Sequence, residues 1–127
     1  MCKKTKLRNL EFGKFAEDKA AEYYIKNGYA IRERNWRYRH IEIDIIAQID
    51  NVIVFVEVKA RNGKDVSPLE AVTFDKMKNI TKGADHYLRN IHFGNFEYRY
   101  DIFGLTGDFE NYSIEVFEDA FLSPLLK

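Results

Sequence analysis

A chain of 127 residues has the size of one domain, and 46% hydrophobic against 31% charged residues makes it a folded, soluble type. No apolar run approaches the roughly 18 residues that span a bilayer, no apolar stretch follows the charged opening MCKKTKLRNL to make a secretory leader, and the single cysteine, Cys2, excludes an internal disulfide or a zinc cage. Net charge is zero but uneven: residues 1–40 carry a basic surplus of six and residues 91–127 an acidic surplus of five, so a positive face for phosphate and a set of ordinary solvated faces both stay open. The expectation is a cytoplasmic, non-membrane protein forming a single domain over 1–127.

In chain order, residues 1–9 read as a flexible lead, and a helix follows from about Leu10 to Asn27. Phe12, Ala16, Ala20, Tyr23 and Tyr24 make its apolar stripe, and Gly28 stops it. An extended stretch over 29–39 carries Ile31, an inward Trp36 and Tyr38 among four arginines. Two strands come next, Ile41 to Gln48 and Val52 to Ala60, joined by Asp50-Asn51, two residues that tolerate the positive φ of a two-residue hairpin loop. Residues 61–66 read as a loop around Gly63. Ser67-Pro68-Leu69-Glu70 supplies an N-cap, a proline at the first helical position and a capping-box glutamate. The helix it opens runs towards Asn90 with a break near Thr73, and Ala71, Phe74, Met77, Ile80, Ala84, Tyr87 and Leu88 face inward. Strands at about Glu97 to Leu105 and Tyr112 to Phe117, then a tail over 118–127, complete the order α-β-β-β-α-β-β. That order predicts an α/β domain with a central mixed β-sheet flanked by helices.

Chemistry concentrates on the hairpin. Successive strand residues face opposite ways, so Glu57 and Lys59 share one face, and Glu42 and Asp44 share one face against Ile41, Ile43 and Ile45. With Asp50-Asn51 as the loop, Asp44 lies opposite Glu57 and Glu42 opposite Lys59, all four pointing the same way. Facing carboxylates repel at cross-strand distances of about 5 Å and need compensation. A hard cation such as Mg²⁺ or Mn²⁺ supplies it with one or two carboxylates, a carbonyl (here that of Val58) and waters. Lys59 would then hold an attacking water or developing phosphate charge. Plain cross-strand ion pairs on a solvated face are the equally weighted alternative, and a three-residue loop would put Asp44 and Glu57 on opposite faces.

The runs Glu42-Ile43-Asp44-Ile45-Ile46-Ala47 and Val54-Phe55-Val56-Glu57-Val58-Lys59 with Arg61 resemble the YraN-like family. Glu17 with Ala20, Gly28-Tyr29, Arg34-Asn35-Trp36, Ala71-Val72 with Lys76, and Tyr87-Leu88 extend the resemblance over about residues 10–105. It implies a restriction-endonuclease-like fold of the PD-(D/E)xK nuclease superfamily, Mg²⁺ bound by Asp44 and Glu57, and Lys59 assisting hydrolysis of a phosphodiester in DNA. Holliday-junction resolvases of that superfamily are similar in carrying an acidic residue on the first helix, matched here by Glu17; such enzymes also imply branched or structured DNA as substrate and a homodimer. Glu17 as an exposed charge paired with Lys14 or Lys19 is the other reading of that position. Ile41 and Ala16 stand where the family has glycine, filling space that a nucleic-acid backbone would approach.

Arg34, Arg37, Arg39, Arg61 and Lys76 are the expected nucleic-acid contacts, with Arg32, Trp36 and Tyr38 in the same basic and aromatic segment and Lys78 and Lys82 on the second helix. His40, His86 and His92 show no metal-ligand spacing and read as surface histidines; Asp101 reads as structural. Two further functional classes stay open: a nucleic-acid-binding module without catalysis, and a protein-interaction domain using Glu110 to Asp119 and the apolar end Phe121-Leu122.

Overall fold

The computed structural model describes residues 3–63, 67–91 and 95–121, with side chains from Arg8 onward; Cys2, His92, Leu122 and residues 64–66 of the expected loop lie outside them. The first helix, α1 (Lys3–Lys26), opens at Lys3 rather than near Leu10. Gly28 ends it at φ 92°, a left-handed value that costs glycine nothing, and the Tyr29 amide donates back to the Tyr24 carbonyl at 2.9 Å.

Five strands follow: β1 (Ala30–Tyr38), β2 (Ile41–Ile49), β3 (Val52–Arg61), β4 (Glu97–Gly107) and β5 (Tyr112–Phe117). They form one sheet in the order β1-β2-β3-β4-β5. All neighbours are antiparallel except β3 and β4. A parallel pair needs a crossover, and α2 (Pro68–Ala71) with α3 (Phe74–Asn90) provides it. The fold is therefore the mixed α/β sheet with flanking helices that the element order predicts. The break near Thr73 is real: Ser67 caps α2 and Thr73 caps α3, its hydroxyl accepting from the Lys76 amide at 3.1 Å. This restart sets a new helical phase, and Phe74, expected inward, is 64% exposed. Among the described residues no helix is long and apolar enough to cross a membrane.

The core lies in two layers, one on each face of the sheet. Ala16, Ala20 and Tyr24 of α1 cover Ile45, Ala47, Val54, Val56, Phe103 and Leu105. Ile80, Ala84 and Tyr87 of α3 cover Ile43, Ile46, Ile53, Phe55 and Tyr100. At about 1.5–3 kcal/mol per fully buried Ile, Val, Leu or Phe, these layers are the main stabilising term. Being covered on both faces, β3 reads as a nearly continuous apolar run. Trp36 packs edge-on against Tyr87 at 5.4 Å, as the inward reading expects. Ile41 and Ala16 are 4% and 0% exposed, so both fill core and not the approach to a nucleic-acid backbone. Ile41 has room because residue 83 is glycine; a Cβ there would sit 2.9 Å from the Ile41 side chain.

The hairpin turn falls where expected, with Asp50 at φ 51° and Ile49 paired to Val52. The expected register holds as far as Ile45 opposite Val56 and then stops. Asp44 and Glu57 are the next rung in sequence but not a paired one.

Candidate active site at the rung of Asn35 and Asp44

Beyond Ile45 the first two strands change phase together. In β1, Arg34 and Trp36 would share a face if the strand were regular. Instead Arg34 pairs with Asp18 of α1 at 2.7 Å, while Trp36 packs on Tyr87 of α3. The residue between them, Asn35, has φ 52°, a left-handed conformation that asparagine tolerates better than most residues. In β2 the facing residues behave the same way: Ile43 belongs to the α3 layer and Ile45 to the α1 layer. The ladder pairs Arg34 with Ile45 and Trp36 with Ile43 but skips the rung between. This corrects the expectation that Ile41, Ile43 and Ile45 share a face. It also separates Glu42 from Lys59: Glu42 pairs with Arg37 at 3.2 Å.

What the phase change leaves at the skipped rung is Asp44, released from strand pairing and turned into the gap where β2 and β3 part. Its Oδ2 accepts from the Val58 amide at 2.8 Å. Burial, then the charge of Glu57, push the Asp44 carboxyl up to about 7; the Val58 amide opposes the shift, and a hydrogen bond across the pair reinforces it. Glu57 is 3% exposed. Its Oε2 has two ammonium groups at 3.6 Å, Lys59 from the same strand and Lys76 from α3. Its Oε1 is buried with no hydrogen-bond partner among the described residues.

Glu17 closes the site from α1. It is half-buried and hydrogen-bonds Asn35; burial first, then the Asp44 charge, raise its proton affinity. It is not paired with Lys14 or Lys19, and Lys19 instead meets Glu22 at 3.6 Å. The structure thus brings Asp44, Glu57, Lys59 and Glu17 together, with Asn35 and Lys76 as members the spacing did not assign there. A signal for Lys76 was available: a lysine in the first turn of a helix opposes the helix dipole and invites the question of what it faces.

The expected nucleic-acid contacts divide. Arg34 lines a cleft of about 530 Å³ with Lys14, Glu17 and Asn35. Arg61 lines a second, of about 500 Å³, with Val58, Lys59 and Asn62. The two clefts share Asn9 and Gly13 of α1; the first reaches the site at Glu17 and Asn35, the second at Val58 and Lys59. Arg37 is held by Glu42. Arg39 sits at the β1–β2 tip with its guanidinium 5.3 Å from the Tyr38 ring. His86 is only partly exposed and stacks on Tyr38 at 3.7 Å, a packing role in place of the expected surface one. Asp101 is fully buried and structural in its contacts: it accepts from Tyr24, Arg99 and the Asp119 amide. Phe121 is stacked on Tyr100 at 4.9 Å.

Among the described residues no three His, Cys, Asp or Glu side chains form a metal cage. Mg²⁺ does not require one, because it commonly takes one or two carboxylates and keeps several waters. The Asp44–Glu57 pair with its bare Oε1 fits that demand. The Val58 carbonyl fits it too, since the amide and carbonyl of a strand residue point to the same neighbour and this amide points at Asp44.

Comparison with known proteins agrees with the motifs. The model for "Uncharacterised protein family UPF0102" matches residues 16–105. UPF0102 proteins of Phocaeicola vulgatus and Clostridium botulinum are 40% and 42% identical over 116 and 118 residues, covering 91% and 89% of this chain and 95% of each relative. One from Flavobacterium psychrophilum is 40% identical over 87% of this chain and 93% of its own length. The chain belongs to the UPF0102, or YraN-like, family.

Proposed function

We propose that the protein is a Mg²⁺- or Mn²⁺-dependent endonuclease that hydrolyses phosphodiester bonds in DNA, with branched or otherwise structured DNA as its substrate class. The observation that carries this reading is the bare, buried Oε1 of Glu57 beside a carboxyl whose proton affinity is raised. Two acidic groups held together, one buried and one half-buried, are costly unless paired with a cation. A divalent cation there supplies Lewis acidity towards a phosphate oxygen and towards water. Asp44, Glu57 and the Val58 carbonyl are the groups that would hold it. Lys59 positions the attacking water and offsets charge developing on the phosphate, Glu17 shapes the α1 side of the gap, and Arg34 and Arg61 in the two flanking clefts receive the backbone on either side. The resemblance to PD-(D/E)xK nucleases supports the same reading, and a cytoplasmic homodimer is the assembly it calls for where two strands are cut.

The test is cleavage of linear, flapped and four-way DNA with Mn²⁺, wild type against Asp44→Ala. Loss of activity by a factor on the order of 10² or more is expected when a group serving the developing charge is removed. Equal cleavage by the variant would overturn the proposal. The two lysines at Glu57 favour one second reading, a nucleic-acid-binding module whose acidic pair is neutralised from within. It predicts salt-sensitive DNA binding that survives Asp44→Ala and Glu57→Ala without cleavage. A protein-interaction role for the apolar end has less support, because Phe121 is stacked on Tyr100.

A further inference from the structure

One carboxylate oxygen, Glu57 Oε2, holds two ammonium groups at the same 3.6 Å while its sister oxygen has no partner among the described residues. The two lysines are not equivalent. Lys59 sits two residues from Glu57 on β3 and shares its face, so strand geometry alone brings them together. Lys76 comes from α3, across the crossover, and its backbone is fixed by the Thr73 cap. It lies in the first turn of α3, the end of a helix where a cation is disfavoured by about 0.3–1 kcal/mol. Lys76 therefore occupies a position that local structure opposes, with its side chain 39% exposed and its ammonium reaching a carboxylate that is 4% exposed.

We infer that Lys76 is an exchangeable counter-ion: it neutralises Glu57 while the acidic pair is empty and moves to the substrate phosphate when a divalent cation takes Glu57. This rests on the metal-dependent reading above. The charges support an exchange. A divalent cation on Asp44 and Glu57 would lie within a few ångströms of both ammonium groups, and like charges at that separation repel strongly where water is scarce. Lys59 is tied to the strand that carries Glu57. Lys76 sits on the rim, with a four-carbon stem and solvent on one side, and can swing away without moving backbone. A phosphodiester entering beside Glu57 then meets Lys59 from β3 and Lys76 from α3, two cations on different elements flanking one anion.

The inference makes opposite demands on binding and on cleavage, which a merely structural lysine would not. Lys76→Met removes the competitor for Glu57, so calorimetric titration of the intact chain with Mn²⁺ should show tighter binding, by on the order of tenfold, the scale on which groups beside metal ligands act. Cleavage by the same variant at saturating Mn²⁺ should fall by on the order of 10², the scale for losing one charge-stabilising contact. Lys76→Arg keeps the charge and should restore the wild-type Mn²⁺ affinity. Arg89→Met, exposed near the far end of the same helix, controls for fold and net charge and should change neither readout. Unchanged or weaker Mn²⁺ binding by Lys76→Met overturns the exchange while leaving the nuclease reading intact, and so does cleavage equal to wild type. Absence of Mn²⁺ binding by the wild type overturns the nuclease reading and the exchange together.

Discussion

The sheet buries acidic side chains at two places, and they are built on opposite principles. Asp101, on β4, is 0% exposed, and every direction around it is answered. The Tyr24 hydroxyl donates at 2.7 Å, Arg99 donates to both oxygens at 2.9 and 3.1 Å, and the Asp119 amide donates at 3.0 Å. Burial and the Asp101 charge push the Tyr24 hydroxyl up, so it stays protonated and keeps donating. Glu57 on β3 is almost as dry and Asp44 on β2 is half-buried, but the pair is incomplete, with one amide on Asp44, two lysines crowding one oxygen of Glu57, and nothing on the other among the described residues. A satisfied buried carboxylate ties elements together; an unsatisfied one retains binding free energy for something that arrives later. The same residue type thus serves as a structural tie across β4 and α1 and as a receptive site across β2 and β3.

The contrast is tested most strongly through stability. Replacing Asp101 by alanine strands the Tyr24 hydroxyl and the Asp119 amide in one step and leaves Arg99 with only Tyr29 and Glu118. Breaking a buried pair from one side costs about 3–5 kcal/mol, so Asp101→Ala should shift the urea midpoint far to lower concentration. A loss below about 1 kcal/mol would make Asp101 no more of a tie than an exposed ion pair.

Asp44 should behave in the opposite sense. Its carboxyl is raised from the ordinary 3.8 to about 7, first by burial and then by the Glu57 charge. Between those limits the folded chain keeps a proton that the unfolded chain has released. The stabilisation is therefore full below about pH 4 and is lost as pH rises towards 7. In metal-free buffer the wild type should lose more stability over that interval than Asp44→Asn, whose amide does not titrate. Parallel stability curves for the two proteins would mean that Asp44 ionises as an ordinary surface acid, and the contrast with Asp101 would collapse.

Much of this arrangement is legible in the residues themselves. Gly28 as a helix stop, Asp50-Asn51 as a two-residue turn, and the Ser67 and Thr73 caps are local signals, and each acts within a few residues of where it is written. The turn also fixes which residue meets which, and a two-residue loop at Asp50-Asn51 is enough by itself to bring Asp44 and Glu57 to neighbouring positions. The phase change at Asn35 is not visible to alternation arguments, because those assume an unbroken strand. Its only trace in β2 is the doubled Ile45-Ile46, where a regular half-buried strand would put a polar residue. Lys76 reads as a nucleic-acid contact and not as a neighbour of Glu57 for a different reason: its partner lies 19 positions away in sequence (76 against 57) on another element, and helix periodicity says nothing about what the helix lands on. Tertiary context also overrides the pattern at Phe74, where a cap restarts the helix in a new phase.

The smallest expected effect probes the hinge of that phase change. Asn35 combines two roles that substitution can separate: it holds φ 52° and it hydrogen-bonds Glu17. Both Asn35→Gly and Asn35→Ala remove the hydrogen bond, a net loss of about 1 kcal/mol for a typical one. Only alanine adds the steric cost of a left-handed backbone, about 1–2 kcal/mol, whereas glycine occupies that region freely. The alanine variant should therefore be the less stable of the two by about 1 kcal/mol, read as a difference in denaturant midpoint at constant m-value. If the two variants unfold together, the left-handed residue is not what turns β1 over. The cause must then lie in β2, where Asp44, bonded to the Val58 amide rather than to a strand partner, would itself force the break.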